Sequence, residues 1–195
     1  MAKPTDRELV DQARGGDSQA FGLLVRRYQK RIFRLAFHLV RTGAEAEDVT
    51  QETFVRAYQA LDRFDGRSEP FTWLYRIAVN LSLNTIRARK TTRDSTSADD
   101  PRIEALLTET RPSHGGDPAG ASQRRQLATA LCEGIDALSD TLRTTLILVC
   151  IDGVAHEEAS KILGCPEGTV AWRVHEARRK LRVFLAERGF EGESL

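Results

Sequence analysis

With three cysteines, one methionine and six prolines in 195 residues, this chain has few handles for covalent or metal chemistry. Cys132, Cys150 and Cys165 are odd in number and form no Cys-x-x-Cys pair. Neither a disulfide frame nor a zinc site is suggested, and the three thiols fit a reducing cytosol. No apolar run approaches the length of a membrane span. The first residues, MAKPTDRELVDQ, are charged and lack the apolar segment of a secretory signal, which points to a chain kept in the cytoplasm. A phosphate-cradling glycine loop is also missing. What remains, at 41% hydrophobic and 29% charged residues, describes a soluble globular protein of one or two small domains.

The near-absence of net charge, +1, hides an uneven distribution. Residues 1–90 carry +5, residues 94–123 carry −4, and residues 171–182 carry +4. Two basic patches flank an acidic connector, so two contacts with a polyanion are expected and the connector is neither of them.

The first basic patch centres on residues 63–93, RFDGRSEPFTWLYRIAVNLSLNTIRARKTTR. Gly66 can supply the positive φ of a tight turn, Ser68 is a candidate N-cap, and Pro70 suits a first helical turn. Phe71, Leu74, Ile77, Ala78 and Leu81 recur at helical spacing on one face. The other face holds Thr72, Trp73, Arg76, Asn80, Asn84, Arg87 and Arg89. Five cations and no acid fall between Phe71 and Arg93. Aromatics, amides and arginines beside a polar loop suit stacking on unpaired bases and gripping phosphates. The same pattern also serves an ordinary amphipathic helix with a solvated basic end.

Upstream, Thr5 and Glu8 form a capping-box pair for a short helix ended by Gly15-Gly16. Asp17 caps a longer helix whose stripe is Phe21, Leu24, Val25, Tyr28, Ile32, Leu35 and Leu39. Arg26, Arg27, Lys30, Arg31 and Arg34 are expected on its solvated face. The next helix, 45–61, turns Val49, Thr53, Ala57 and Leu61 inward and crowds Glu45, Glu47, Asp48, Gln51, Glu52 and Arg56 outward. Acids near a helix N-terminus favour the dipole on their own account. Set in a basic domain, they equally suit a basic protein surface.

Residues 91–123 are rich in Thr, Ser, Asp, Gly and Pro and read as a linker, with Ile103, Leu106 and Leu107 a small apolar island that can dock. Beyond it, a helix over 124–137 turns Leu127, Ala130, Leu131 and Ile135 inward. Ser139 caps the next helix, and Gly153 interrupts. A short helix over 156–163 is closed by Gly164. Thr169 is expected to cap a final helix with Val170, Val174, Ala177, Leu181 and Leu185 inside. Ser160 is the expected small residue at the crossing of the last two helices. Short helix, glycine turn and long basic helix make a helix-turn-helix.

Taken in order, AFGLLVRRYQKR, AEDVTQETFVRAYQALDRF, FTWLYRIAVNL and CPEGTVAWRVHEARRKLR resemble the extracytoplasmic-function (ECF) sigma factors, especially the sigma-E type. These are two-domain initiation subunits of bacterial RNA polymerase, and the likeness spans nearly all of the chain outside the linker. It implies an all-α protein. Sigma region 2 would occupy 1–92, a flexible acidic linker 93–123, and sigma region 4 with its helix-turn-helix 124–195. It also implies that Asp48, Gln51, Glu52, Phe54 and Arg56 dock on the β′ clamp of core polymerase. Phe64, Asp65, Gly66, Arg67 and Ser68 would hold a base flipped from the −10 non-template strand. Trp73, Tyr75, Arg76, Asn80 and Arg87 would line or support the strand path, with some of Phe71, Trp73 and Tyr75 in the core and Trp73 outermost.

Thr169, Ala171, Trp172, Arg173, His175, Glu176, Arg178 and Arg179 would face the −35 duplex. Here the chain departs from the usual GTV-[KR]-SR-x-x-RAR pattern, with Ala171, Trp172 and Glu176 in place of a basic residue, a serine and an arginine. Glutamate accepts from cytosine N4 where arginine prefers guanine, so a shifted −35 preference is expected. The partners implied are core RNA polymerase (β and β′), promoter DNA and an anti-sigma factor, commonly membrane-anchored. No cofactor, metal or small-molecule substrate is implied.

Two rivals differ in class. A duplex-only regulator would leave the acidic helix and the FTWLYRIAVN helix without a use. An enzyme would draw on His38, His114, His156, His175 and the cysteines. His114 falls in the linker, His156 and His175 in the helix-turn-helix, and Cys132 and Cys150 read as core thiols. Catalysis is rejected.

Overall fold

The computed structural model of the chain describes residues 3–90, 102–103 and 118–190. Every regular element among them is helical. The first four helices are α1 (Asp6–Arg14), α2 (Ser18–Val40), α3 (Gly43–Gln59) and α4 (Pro70–Lys90), with a 3₁₀ turn at Leu61–Arg63. The next four are α5 (Pro118–Ala137), α6 (Asp140–Leu146), α7 (His156–Leu163) and α8 (Glu167–Ala186). A π-helical segment, Ile147–Ile151, continues α6. No helix among the described residues is long and apolar enough to cross a membrane.

Local chemistry explains most boundaries. Thr5 and Glu8 close a reciprocal capping box on α1, satisfying two N–H groups the helix itself cannot. The Asp17 carboxylate accepts from the N–H groups of Gln19 and Ala20 to start α2. Ser139 caps α6 through Leu142 N–H. Gly164 ends α7 in the left-handed region at φ 65°, as its lack of a Cβ permits.

The final helix departs from expectation. Pro166 occupies its N-cap position and the helix begins at Glu167, so Thr169 lies inside the first turn. Ala159, fully buried, is the small residue of α7, whereas Ser160 is half-buried and bonds the Glu157 carbonyl. Two further corrections concern exposure. Leu127 is exposed rather than inward, and α5 starts six residues before its expected bound. Cys150 is exposed, because a π-turn inserts a residue and rotates the face that follows. Cys132 is buried as expected, against Ala128 and Ile103 of the apolar island. Leu106 and Leu107 lie outside the described residues.

One apolar cluster runs from Leu9 of α1 through α2–α4 into Ile147, Ala159, Val170 and Leu181 of the C-terminal helices. Gly134 of α5 is where α8 comes closest: an added Cβ would meet Leu181 Cδ2 and Phe184 Cδ1 at 2.9 Å each. Alanine favours a helix by about 1 kcal/mol over glycine, but overpacking costs about 1–3 kcal/mol. Gly134→Ala is therefore expected to lower stability by about 1 kcal/mol and the melting temperature by roughly 2–4 °C, measured by circular dichroism. A rise would show that α5 and α8 part easily.

Candidate polymerase and nucleic-acid interfaces

The outward face of α3 carries Asp48, Gln51, Glu52 and Arg56, with Arg56 Nε bonded to Glu52 Oε1 at 2.7 Å. Val55 and Tyr58 add two exposed apolar side chains in register with Asp48 and Gln51, and single-face counting missed both. Beside them, Gln29, Lys30, Phe33, Glu47, Thr50 and Gln51 line an open groove of about 340 Å³ between α2 and α3. Phe54 does not belong to this face. It is buried in the core and holds α3 from behind.

The loop before α4 is braced from three sides. Gly66 adopts φ +70°, and the Asp65 carboxylate accepts from Arg67 N–H at 3.0 Å, closing an Asx turn. Arg14 of α1 donates to the Leu61 carbonyl at 3.3 Å and to that of Phe64. Arg7 binds Glu69 at 2.7 Å. Neither Arg7 nor Arg14 carried a signal in the sequence, since both bonds span more than forty residues. Phe64 is buried and packs on Trp73 with centroids 4.8 Å apart, which leaves Trp73 half-buried, as Phe71 is, while Tyr75 is fully buried. Arg67 projects, its side chain 90% exposed. Arg76, Asn80, Asn84 and Arg87 then follow along the exposed face of α4.

Thr72 is fully buried and corrects the facial count; Tyr75, also fully buried, is the core member expected among Phe71, Trp73 and Tyr75 and so does not line the strand path. They lie against the C-terminal helices. Tyr75 hydroxyl donates to Asp152 Oδ2 at 2.5 Å, and Arg34 donates to Asp152 Oδ1 at 2.6 and 3.0 Å. Thr72 donates to Glu158 at 2.5 Å, and Arg76 to the Lys161 carbonyl. Burial, reinforced by the bond to Asp152, pushes the Tyr75 phenol well above its ordinary value. The Lys161 ammonium and the Thr72 hydroxyl hold Glu158 below the usual carboxylate range. The basic face of α2 is likewise not merely solvated: Arg27 pairs with Asp6, and Arg31 lies over the Phe71 ring at 4.8 Å.

A second seam gathers on Asp136 of α5. Its carboxylate takes Arg102 through two bonds of 2.7 and 2.9 Å, Arg41 at 3.0 Å and, at 4.0 Å, Arg143. Arg41 is the one non-glycine residue at positive φ among those described, 76°. That strain costs of order 1–3 kcal/mol and is met by an ion pair joining α2 to α5. Burial pulls the Arg41 and Arg143 guanidinium groups below their ordinary values, with Asp136 opposing it.

In the helix-turn-helix, α8 buries Val170, Val174, Ala177, Leu181 and Leu185. Ala171, Trp172, His175, Arg178 and Arg179 are exposed, and Thr169 is half-buried. Arg173 turns back to Cys165 Sγ and Arg178 to Cys150 Sγ, each at 3.4 Å. Glu176 receives two bonds of 2.8 Å from Arg179, which holds its carboxyl below the usual range.

Comparison with known proteins agrees with this arrangement. The family profile "Sigma-70 region 2" matches residues 24–92 and "Sigma-70, region 4" matches residues 130–181. The chain is 37% identical over 182 residues to the "ECF RNA polymerase sigma-E factor" of Escherichia coli (strain K12), covering 91% of this chain and 92% of that one. It is 34% identical over 183 residues to the "RNA polymerase sigma-H factor" of Pseudomonas aeruginosa, covering 93% and 94%. Among solved structures, CnrH in complex with the cytosolic domain of CnrY superposes with a TM-score of 0.67 at 28% identity, over 93% of this chain and 97% of that one. The sigma factor RpoE of Bartonella quintana shares the fold, with a TM-score of 0.58 at 22% identity over 85% and 96%. Two exposed basic surfaces, an acidic face on α3 and likeness to these relatives over nine-tenths of the chain converge: the chain belongs to the ECF sigma factors of the sigma-70 family.

Proposed function

We propose that this chain is a bacterial initiation factor that binds core RNA polymerase (β and β′) and selects promoters by reading two elements at once. The observation that carries this is the presence, in one chain, of an exposed acidic face on α3 and two separate basic surfaces, on α4 and α8. A regulator that only bound duplex would give the α3 face and its groove nothing to do.

Each surface has a role. Asp48, Gln51 and Glu52, with Val55 and Tyr58, meet the β′ clamp. Asp65, Gly66, Arg67 and Ser68 hold a base flipped from the melted −10 strand. Extracting it costs a few kcal/mol, which aromatic stacking of about 1–3 kcal/mol and bonds from the turn offset. Arg76, Asn80 and Arg87 run along the strand path, while Trp73 and Phe64 support the loop. α8 enters the major groove of the −35 duplex. The chain works in the cytoplasm as an initiation factor rather than an enzyme. CnrH was solved bound to the cytosolic domain of CnrY, and a comparable anti-sigma partner fits this chain.

Reversing charge on the exposed α3 face tests the docking role. Asp48→Lys with Gln51→Arg changes only exposed side chains and leaves stability within about 0.5 kcal/mol. Affinity for core polymerase is expected to fall at least about tenfold in a fluorescence-anisotropy titration. Unaltered binding would remove α3 from the interface.

A further inference from the structure

We propose that Trp172 makes recognition of the upstream duplex depend on thymine 5-methyl groups. The inference rests on the reading of α8 as the helix that enters the major groove. Trp172 is 61% exposed, the most exposed large apolar side chain among the described residues. The fold makes no use of it: the buried face of α8 is Val170, Val174, Ala177, Leu181 and Leu185. Trp172 lies in the N-terminal part of α8, the part of a recognition helix that meets base edges. Ala171 beside it is also exposed and apolar.

The charged neighbours are engaged elsewhere. Arg173 is turned to Cys165, and Glu176 and Arg179 neutralise each other through two bonds, one turn or more further along. Past the polar first turn of Glu167 and Thr169, the exposed pair Ala171-Trp172 is therefore apolar where a guanine-reading arginine would otherwise stand. In the major groove, the feature that matches an apolar side chain is the C5 methyl of thymine. An indole can cover one or two such methyls on adjacent pairs, and each buried methyl contributes about fourfold in affinity.

Substituting deoxyuridine for thymidine removes only that methyl and leaves pairing and every groove donor and acceptor in place. The full chain suits the test, since Ala171 and Trp172 are exposed while the two halves of the molecule are packed together. Duplexes are first selected from a random pool with the purified chain. Their thymine and uracil versions are then compared by anisotropy.

The wild-type chain is expected to recover duplexes with thymine at fixed positions and to bind the uracil versions at least about fourfold more weakly. In Trp172→Ser the thymine-to-uracil ratio is expected to fall to near one, with an unchanged circular dichroism spectrum. Equal binding of thymine and uracil duplexes by the wild-type chain overturns the proposal while leaving α8 as the duplex reader. Recovery of no sequence preference at all overturns that reading as well.

Discussion

Asp136→Ala is expected to cost about 3–5 kcal/mol of stability, the range for a buried ion pair that loses one partner. The Asp136 side chain is only 8% exposed, and those of Arg102 and Arg143 are 2% and 3% exposed. Alanine would remove the one carboxylate that these two buried guanidinium groups share with Arg41. Asp140 would still hold Arg143 at 2.9 Å, while the buried Arg143 Nε has no hydrogen-bond partner among the described residues. The urea midpoint should fall accordingly. Adding Arg102→Met and Arg143→Met to Asp136→Ala should restore much of the loss, because an apolar replacement of a whole buried ion cluster is often neutral. A single-variant loss below about 1 kcal/mol would show that solvent reaches these groups.

Asp152→Ala should act on a different equilibrium, the packing of α4 against the C-terminal helices. Asp152 has a side chain 1% exposed and serves both Arg34 and Tyr75. Its loss strands a buried phenol at about 1–3 kcal/mol. Arg34, 43% exposed, gives up this ion pair at little cost. About 2 kcal/mol shifts the ratio of packed to separated forms roughly 30-fold.

Separation matters for promoter reading. Elements about 25 base pairs apart lie about 85 Å from each other along the duplex, and packed domains cannot reach both. The chain from Lys90 to Pro118, drawn out, spans about 90 Å. Asp152→Ala is therefore expected to raise the radius of gyration measured by small-angle scattering. It should also form polymerase–promoter complexes at lower protein concentration. An unchanged radius would place the packing energy elsewhere.

The pH dependence has a definite sign. The Tyr75 phenol is raised from 10.0 by burial and by Asp152. Its contribution is thus complete below pH 10 and is lost as the pH climbs through the raised value. Alkaline solution should open the wild-type chain and have less effect on Tyr75→Phe.

The sequence made the helices legible because their causes are local. Capping at Thr5, Asp17 and Ser139, the glycine stop at Gly164 and the inward faces of α2, α3 and α8 all follow from neighbours within a turn or two. The family pattern then ordered the surfaces. What the sequence concealed are couplings across distance. Arg34 and Asp152 are 118 residues apart, and no periodicity links them. Tyr75 looks alike on a helical wheel whether it meets a DNA strand or another helix. Phe54 stands three residues before Ala57 and seven before Leu61, so spacing already turns it inward, and only the family likeness had placed it on the docking face. Cys150 misled because a π-turn changes the phase that a 3.6-residue period assumes.

The most direct test of the whole account is transcription in vitro by bare bacterial core polymerase, with and without the purified chain, followed by mapping of transcript 5′ ends. The account predicts defined start sites that appear only with the chain, each preceded by two common sequence elements about 25 base pairs apart. Transcripts whose ends are the same with and without it would contradict the account.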